Sequence, residues 1–249
     1  PSLPPSRLES IERIAGGASE DDRLPLIIAI HGLGDRPDHF AELFDGFDVP
    51  ARIVLPRGPT PWGSGFAWMP FEGDEARIQS IVDRNADRVA ALIDEVRERR
   101  PTRGKAIVTG FSQGGIMSFA LAVRHPERIA GAVPVSGFLP RPAWPAERRA
   151  TGRPVVRALH GTADSVLPPL PDRQGVAKLR LVGFDAKILL YDGVEHRLSP
   201  AMREDLFAAL RTLAVGSDWP GRWSAAGGVG CRTCPGGSLD PVGCRLCSP

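Results

Sequence analysis

Ser112 stands between two glycines in Gly110-Phe111-Ser112-Gln113-Gly114, a G-x-S-x-G pentad. A serine hydroxyl is a weak nucleophile. It needs an imidazole to take its proton and a carboxylate to hold that imidazole in the right tautomer. Of the five histidines, His31 precedes Ser112 and ends an apolar run, while His39 and His125 fall on or near helical stretches. His160, in a His-Gly pair, reads as shaping the turn before Asp164. His196 lies in the loop Asp192-Gly193-Val194-Glu195-His196-Arg197, after one apolar run and ahead of a helix, and is the best-placed base. Asp164, in His160-Gly161-Thr162-Ala163-Asp164-Ser165, is the matching acid, with Asp192 as its rival. The chain order serine, acid, histidine is the one expected when the serine sits on a strand-to-helix elbow.

An acyl-transfer site also needs donors for the oxyanion. The backbone N–H of Gln113, next after the nucleophile, supplies one. The loop His31-Gly32-Leu33-Gly34-Asp35 supplies the other through the Leu33 N–H, its two glycines letting the main chain turn inward.

These groups must be carried by elements that meet at one edge. Ala106 to Thr109 is apolar or β-branched, a buried strand, and helical spacing resumes from Gly115: strand, glycine turn, helix. Leu26–Ile30, Ala51–Leu55, Ile129–Val135, Pro154–Leu159 and Ala186–Leu190 read as further strands. Helices are expected near 40–47 and over 77–100, 172–182 and 200–214, the second with apolar positions at helical period. Strands alternating with helices predict an α/β fold whose mostly parallel sheet is covered on both faces. Ligands collect beyond the carboxyl ends of such strands, where Leu33, Ser112, Asp164 and His196 all fall.

With 249 residues and 42% hydrophobic content the chain can bury a sizeable core. Its 31 basic and 29 acidic residues leave a formal charge of +2 with no basic run, which argues against a nucleic-acid partner. No apolar stretch reaches the roughly 18 to 20 residues of a membrane span. The first residue is proline rather than methionine, which reads as a trimmed or processed chain whose leader is gone. A soluble protein is expected, with the cytoplasm favoured over export. Oligomeric state has no signature.

Three segments follow. Residues 1–22 are polar and proline-rich, an arm or an outer edge strand. Residues 23–216 form the α/β unit. Residues 217–249 are a Gly/Pro/Cys-rich tail holding all four cysteines, Cys231, Cys234, Cys244 and Cys247, as two C-x-x-C pairs nine residues apart. A structural zinc, a pair of disulfides and a disordered tail are all open for it.

The segments HGLGD (31–35), GFSQGG (110–115), HGTADSVLP (160–168) and EH (195–196) resemble the bacterial carboxylesterase, phospholipase and acyl-protein thioesterase family of α/β-hydrolases. The likeness spans about Leu24 to Val215. It implies a triad of Ser112, Asp164 and His196, an oxyanion hole of Leu33 and Gln113 N–H groups, and no cofactor for catalysis. After Leu55 the chain reads RGPTPWGSGFAWMPFEGD, unlike members acting on acylated proteins, which points to a small-molecule ester. Trp62, Phe66, Trp68, Met69 and Phe71 of that loop are read as the acyl-side wall. Only eighteen residues, 136–153, separate two of the strands after the elbow, too few for a large helical lid.

The expected activity is a serine carboxylic-ester hydrolase on short- to medium-chain or aryl esters. Thioester, lysophospholipid or polyester hydrolysis on the same fold is the first alternative, and an inactive hydrolase fold serving as a binding module the second.

Overall fold

The computed structural model describes residues 3–70, 72–146, 152–216 and 223. Seven strands form the central sheet: β1 (Ser10–Ala15), β2 (Leu24–Ile30), β3 (Ala51–Pro56), β6 (Thr102–Phe111), β7 (Ile129–Val135), β8 (Val155–Gly161) and β9 (Ala186–Tyr191). A two-stranded hairpin, β4 (Thr60–Trp62) and β5 (Gly65–Ala67), stands apart from it. The sheet order is β1-β3-β2-β6-β7-β8-β9, and every pairing is parallel except β1 with β3. This is the mostly parallel, helix-flanked sheet of the α/β-hydrolases.

Burial explains which strands are central. Every residue of β2 and of β3 is buried, because helices cover both faces. The edge strand β1 is mostly exposed and carries Glu12 and Arg13, charges that discourage pairing with another chain. Residues 10–15 of the N-terminal segment form this strand. Strand β6 begins four residues before its apolar run, at Thr102, since Leu24 and Pro25 offer it partners; the exposed Arg103 and Lys105 hid that extension.

Of the helices, α2 (Glu75–Arg99), α3 (Gln113–Arg124) and α4 (Pro169–Leu181) contribute to the larger of two cores, with Val89, Phe119 and Leu179 in its interior. The Asp74 side chain caps α2 by accepting from the Arg77 N–H at 2.9 Å. On the other face α1 (Pro37–Phe40), a 3₁₀ turn (Ala41–Phe44) and α5 (Pro200–Val215) enclose Phe44, Met202 and Leu206. Trp223, inside the segment read as an appended tail, belongs to this second core and is 1% exposed. Its indole N–H donates to the Asp205 carbonyl, and the Trp223 carbonyl accepts from Lys187 Nζ. The four cysteines and Phe71 lie outside the described residues. No helix among the described residues is long and apolar enough to cross a membrane.

The chain runs from β2 outward to β3, then returns to the other side of β2 with β6. The order therefore reverses between β2 and β6. Loops leaving neighbouring strands at such a point diverge to opposite faces and open a crevice.

Candidate active site

Ser112 leaves the sheet at this crevice. Its backbone adopts φ 57 and ψ −116, a region that non-glycine residues enter at a cost of order 1–3 kcal/mol. The neighbours hold it there. Its N–H donates to the Val135 carbonyl at 2.9 Å, and α3 starts at once behind it. Position 114 must be glycine, because a Cβ there would overlap the Ile30 carbonyl oxygen.

His196 and Asp164 come from the two loops farther along the sheet. These loops are laced together: the Thr162 N–H donates to the Tyr191 carbonyl at 2.9 Å and the Ala163 N–H to the Val194 carbonyl at 3.0 Å. The result places His196 Nε2 3.0 Å from Ser112 Oγ and His196 Nδ1 2.7 Å from Asp164 Oδ2. Asp164 is 3% exposed. Its Oδ1 accepts from the Val166 and Leu167 N–H groups at 3.0 and 2.8 Å, which keeps the carboxylate in one orientation. Nδ1–H therefore donates to a carboxylate, leaving the Nε2 lone pair to face the serine hydroxyl. Phe111 packs its ring 4.9 Å from the imidazole, supporting its plane. Asp192, the rival acid, accepts instead from the Thr162 hydroxyl at 3.2 Å.

The loop after β2 runs beside the nucleophile: a Cβ at Gly32 would stand 3.5 Å from Ser112 Cβ. His31, wholly buried, props it. Its Nε2 accepts from the Gly58 N–H at 3.0 Å, so Nδ1 carries the proton and donates to the Gly32 carbonyl at 2.7 Å. Burial pushes the pKa of His31 down, which keeps the ring neutral and this tautomer in place. Leu33 and Gln113 thus present their backbone N–H groups from two elements meeting at Ser112, neither with a hydrogen-bond acceptor among the described residues.

Segment 57–69 reaches both of these elements. The Gly34 N–H donates to the Phe66 carbonyl at 2.9 Å, and the Phe66 N–H to the Asp35 carbonyl at 3.0 Å. The Gln113 carboxamide reads the main chain two residues farther on: it accepts from the Trp68 N–H at 2.9 Å and donates to the Met69 carbonyl at 2.8 Å. Gly65 permits the approach, since a Cβ there would overlap the Gly34 carbonyl oxygen.

The loop residues read as an acyl-side wall take different places in the fold. Trp68 is 0% exposed and Met69 is buried; both belong to the larger core. The ring of Phe66 lies under the Arg57 guanidinium, 4.7 Å away. Trp62, at 48% exposed, reaches solvent beside Gly34, where an added Cβ would stand 3.5 Å from Trp62 Cδ1. Residues missed from the sequence line two depressions. An apolar depression of about 270 Å³ is walled by Phe40, Leu43, Phe111 and Leu198, with Asp35, His39 and Glu42 also lining it. A second, of about 420 Å³, lies along Leu33, Gly34, Asp35 and Arg36. Asp35 and His39 belong to both. The one sequence signal was Phe111, next to the serine; the others come from distant segments.

The remaining histidines have partners of their own. His39 pairs with Asp35 at 2.7 Å, and that hydrogen bond raises its pKa. His125 pairs with Asp87 at 2.8 Å. His160 is buried beneath Asp164. No group of three or more metal-ligating side chains occurs among the described residues.

Fold and site together define an α/β-hydrolase with a serine, histidine and aspartate in hydrogen-bonded series. The chain belongs to the Phospholipase/Carboxylesterase family, which matches residues 12–214. Two rice (Oryza sativa subsp. japonica) proteins are similar to it. One, described as a probable inactive carboxylesterase, is 29% identical over 199 residues, covering 72% of this chain and 81% of that protein. The other, described as a probable carboxylesterase, is 27% identical over 201 residues, covering 73% and 74%. Similar identity to both means that overall likeness does not decide activity; the site geometry must. The crystal structure of esterase PE8 superposes with a TM-score of 0.73 at 22% identity, covering 83% of this chain and 99% of that one, which attests the shared fold.

Proposed function

We propose that this chain is a serine carboxylic-ester hydrolase for small esters with a short- to medium-chain or aryl group, working through an acyl-enzyme. The observation that carries the reading is the unbroken series Ser112 Oγ, His196 Nε2, His196 Nδ1, Asp164 Oδ2, with contacts of 3.0 and 2.7 Å.

In this mechanism His196 takes the Ser112 proton as Oγ attacks the acyl carbon. The Leu33 and Gln113 N–H groups receive the oxyanion, and each such donor is worth about 2.7–4 kcal/mol in the transition state. Asp164 stabilises the imidazolium that forms. His196 then protonates the leaving alcohol, and water repeats the sequence on the acyl-enzyme. Side chains and main chain suffice, and no step uses a cofactor.

The apolar depression of about 270 Å³ supports the small substrate, since it has room for a short alkyl or single aromatic group and its walls come from residues adjoining Ser112 and His196. A fluorophosphonate probe should label Ser112 stoichiometrically. Ser112→Ala should abolish labelling, and His196→Ala should lower kcat on p-nitrophenyl butyrate by on the order of 10⁴–10⁶-fold. Wild-type protein that neither labels nor hydrolyses any ester from acetate to decanoate would overturn the reading. A parallel thioester series separates the esterase from the thioesterase assignment.

A further inference from the structure

His160 and Asp172 form a buried pair that the mechanism above does not use. His160 ends β8, and its side chain is 0% exposed. Asp172 lies in the first turn of α4 and is equally buried. Nδ1 of His160 is 2.8 Å from Asp172 Oδ2, and Nε2 is 2.8 Å from the Leu167 carbonyl oxygen. A carbonyl only accepts, so Nε2 carries a proton. The contact on the other side needs one more proton, shared between Nδ1 and Oδ2, because an imidazole lone pair facing a bare carboxylate oxygen at that distance would repel it. The other Asp172 oxygen, Oδ1, has no partner among the described residues. Burial opposes a charge there and pushes the Asp172 pKa up to about 6, while Asp172 and Asp164 hold that of His160 above its ordinary value.

What this pair touches is the acid of the triad. His160 Nε2 stands 3.4 Å from Asp164 Oδ2, the same oxygen that accepts from His196 Nδ1 at 2.7 Å. Oδ2 is thus flanked by two imidazoles. Leu167, whose carbonyl His160 holds, donates its own N–H to Asp164 Oδ1. The Leu167 residue is therefore gripped from below by His160 and grips the carboxylate in turn. Asp164 and Asp172 are the carboxylates within ion-pair distance of His160 among the described residues.

We infer that His160, oriented by Asp172, is a positioning residue of the triad, fixing the 164–167 turn so that Asp164 presents Oδ2 to His196. Asp172 acts one step farther back, by choosing which ring nitrogen of His160 faces that turn. The inference rests on the serine-hydrolase reading.

Its test compares His160→Gln, Asp172→Ala and Asp172→Asn in the full chain, with wild type and Ser112→Ala alongside. The readouts are kcat and KM on p-nitrophenyl butyrate, the acidic limb of the kcat/KM profile, and the melting temperature. His160→Gln and Asp172→Ala should each lower kcat about 10–100-fold with KM changed less than about threefold, as expected for a misplaced group rather than a lost binding contact. Their acidic limb should leave its wild-type position, because the Asp164 carboxylate no longer keeps its place beside the imidazole. Asp172→Asn should restore most of the activity and the wild-type limb, since its amide N–H supplies the hydrogen bond to Nδ1. A merely structural role would lower the melting temperature and leave the limb in place. That result, or wild-type kcat in both damaging variants, or an Asp172→Asn as impaired as Asp172→Ala, would overturn the inference. If His160→Gln fails to fold, the two Asp172 variants decide alone. An inactive wild type would instead sink the hydrolase reading beneath it.

Discussion

Two stretches flank Ser112, and they exchange the roles their compositions suggest. Segment 57–69 is rich in large apolar side chains, yet Trp68 and Met69 are buried and its main chain does the work, tying Gly34 and Asp35 on one side and the Gln113 carboxamide on the other. Across the site, the stretch 35–43 looks ordinary, with charges between single apolar residues, but Phe40 and Leu43 join Phe111 and Leu198 to wall a depression. The first is a brace between the loop after β2 and the start of α3. The second lines the apolar depression proposed above for the substrate. Aromatic density in a loop beside an active site therefore marks what must be packed as readily as what must be contacted.

The comparison can be broken at its strongest point by Gly65→Ala. Its Cβ would displace the hairpin from the Gly34 carbonyl and, with it, the Leu33 N–H. A drop in kcat of about 10²–10³-fold with little change in KM is expected, the cost of one misplaced oxyanion donor. Normal kcat would show that the hairpin is not a brace. Trp68→Ala sharpens the same point from the stability side. It should cost about 3–5 kcal/mol in denaturant unfolding while the chain-length preference of the residual activity stays as in wild type. A shifted preference would return Trp68 to the substrate wall. The smallest effect belongs to the other stretch. Leu43→Trp should fill the depression and raise KM for the longer p-nitrophenyl esters about tenfold relative to acetate, with stability nearly unchanged. An unaltered ester profile would move the acyl or alcohol group elsewhere, the depression along Arg36 being the next place to look.

Much of the frame was legible because its signals are local. A run such as Ile129–Val135 has one way to bury seven apolar or small residues, and the strand has those bounds. The pentad at 110–114 specifies its own turn through glycines that the crowding at Ile30 demands. The hairpin at 60–67 escaped notice because three-residue strands are too short for a period to emerge, and half of its pairing is mostly solvent-facing. His160 was read as a turn former, since nothing in a His-Gly pair reveals an aspartate twelve residues later folding back beneath it.

What the linear chain determined by itself is the set of elements and the chemistry available at their ends: alternating apolar runs make strands and helices, and parallel strands deliver their carboxyl ends to one edge. Distance between side chains was decided only when the sheet closed. Whether a tryptophan is a wall or a keystone, which of two aspartates meets His196, and what lies under that aspartate depend on contacts between residues far apart in sequence. Such contacts leave no mark in the local periodicity from which elements are read.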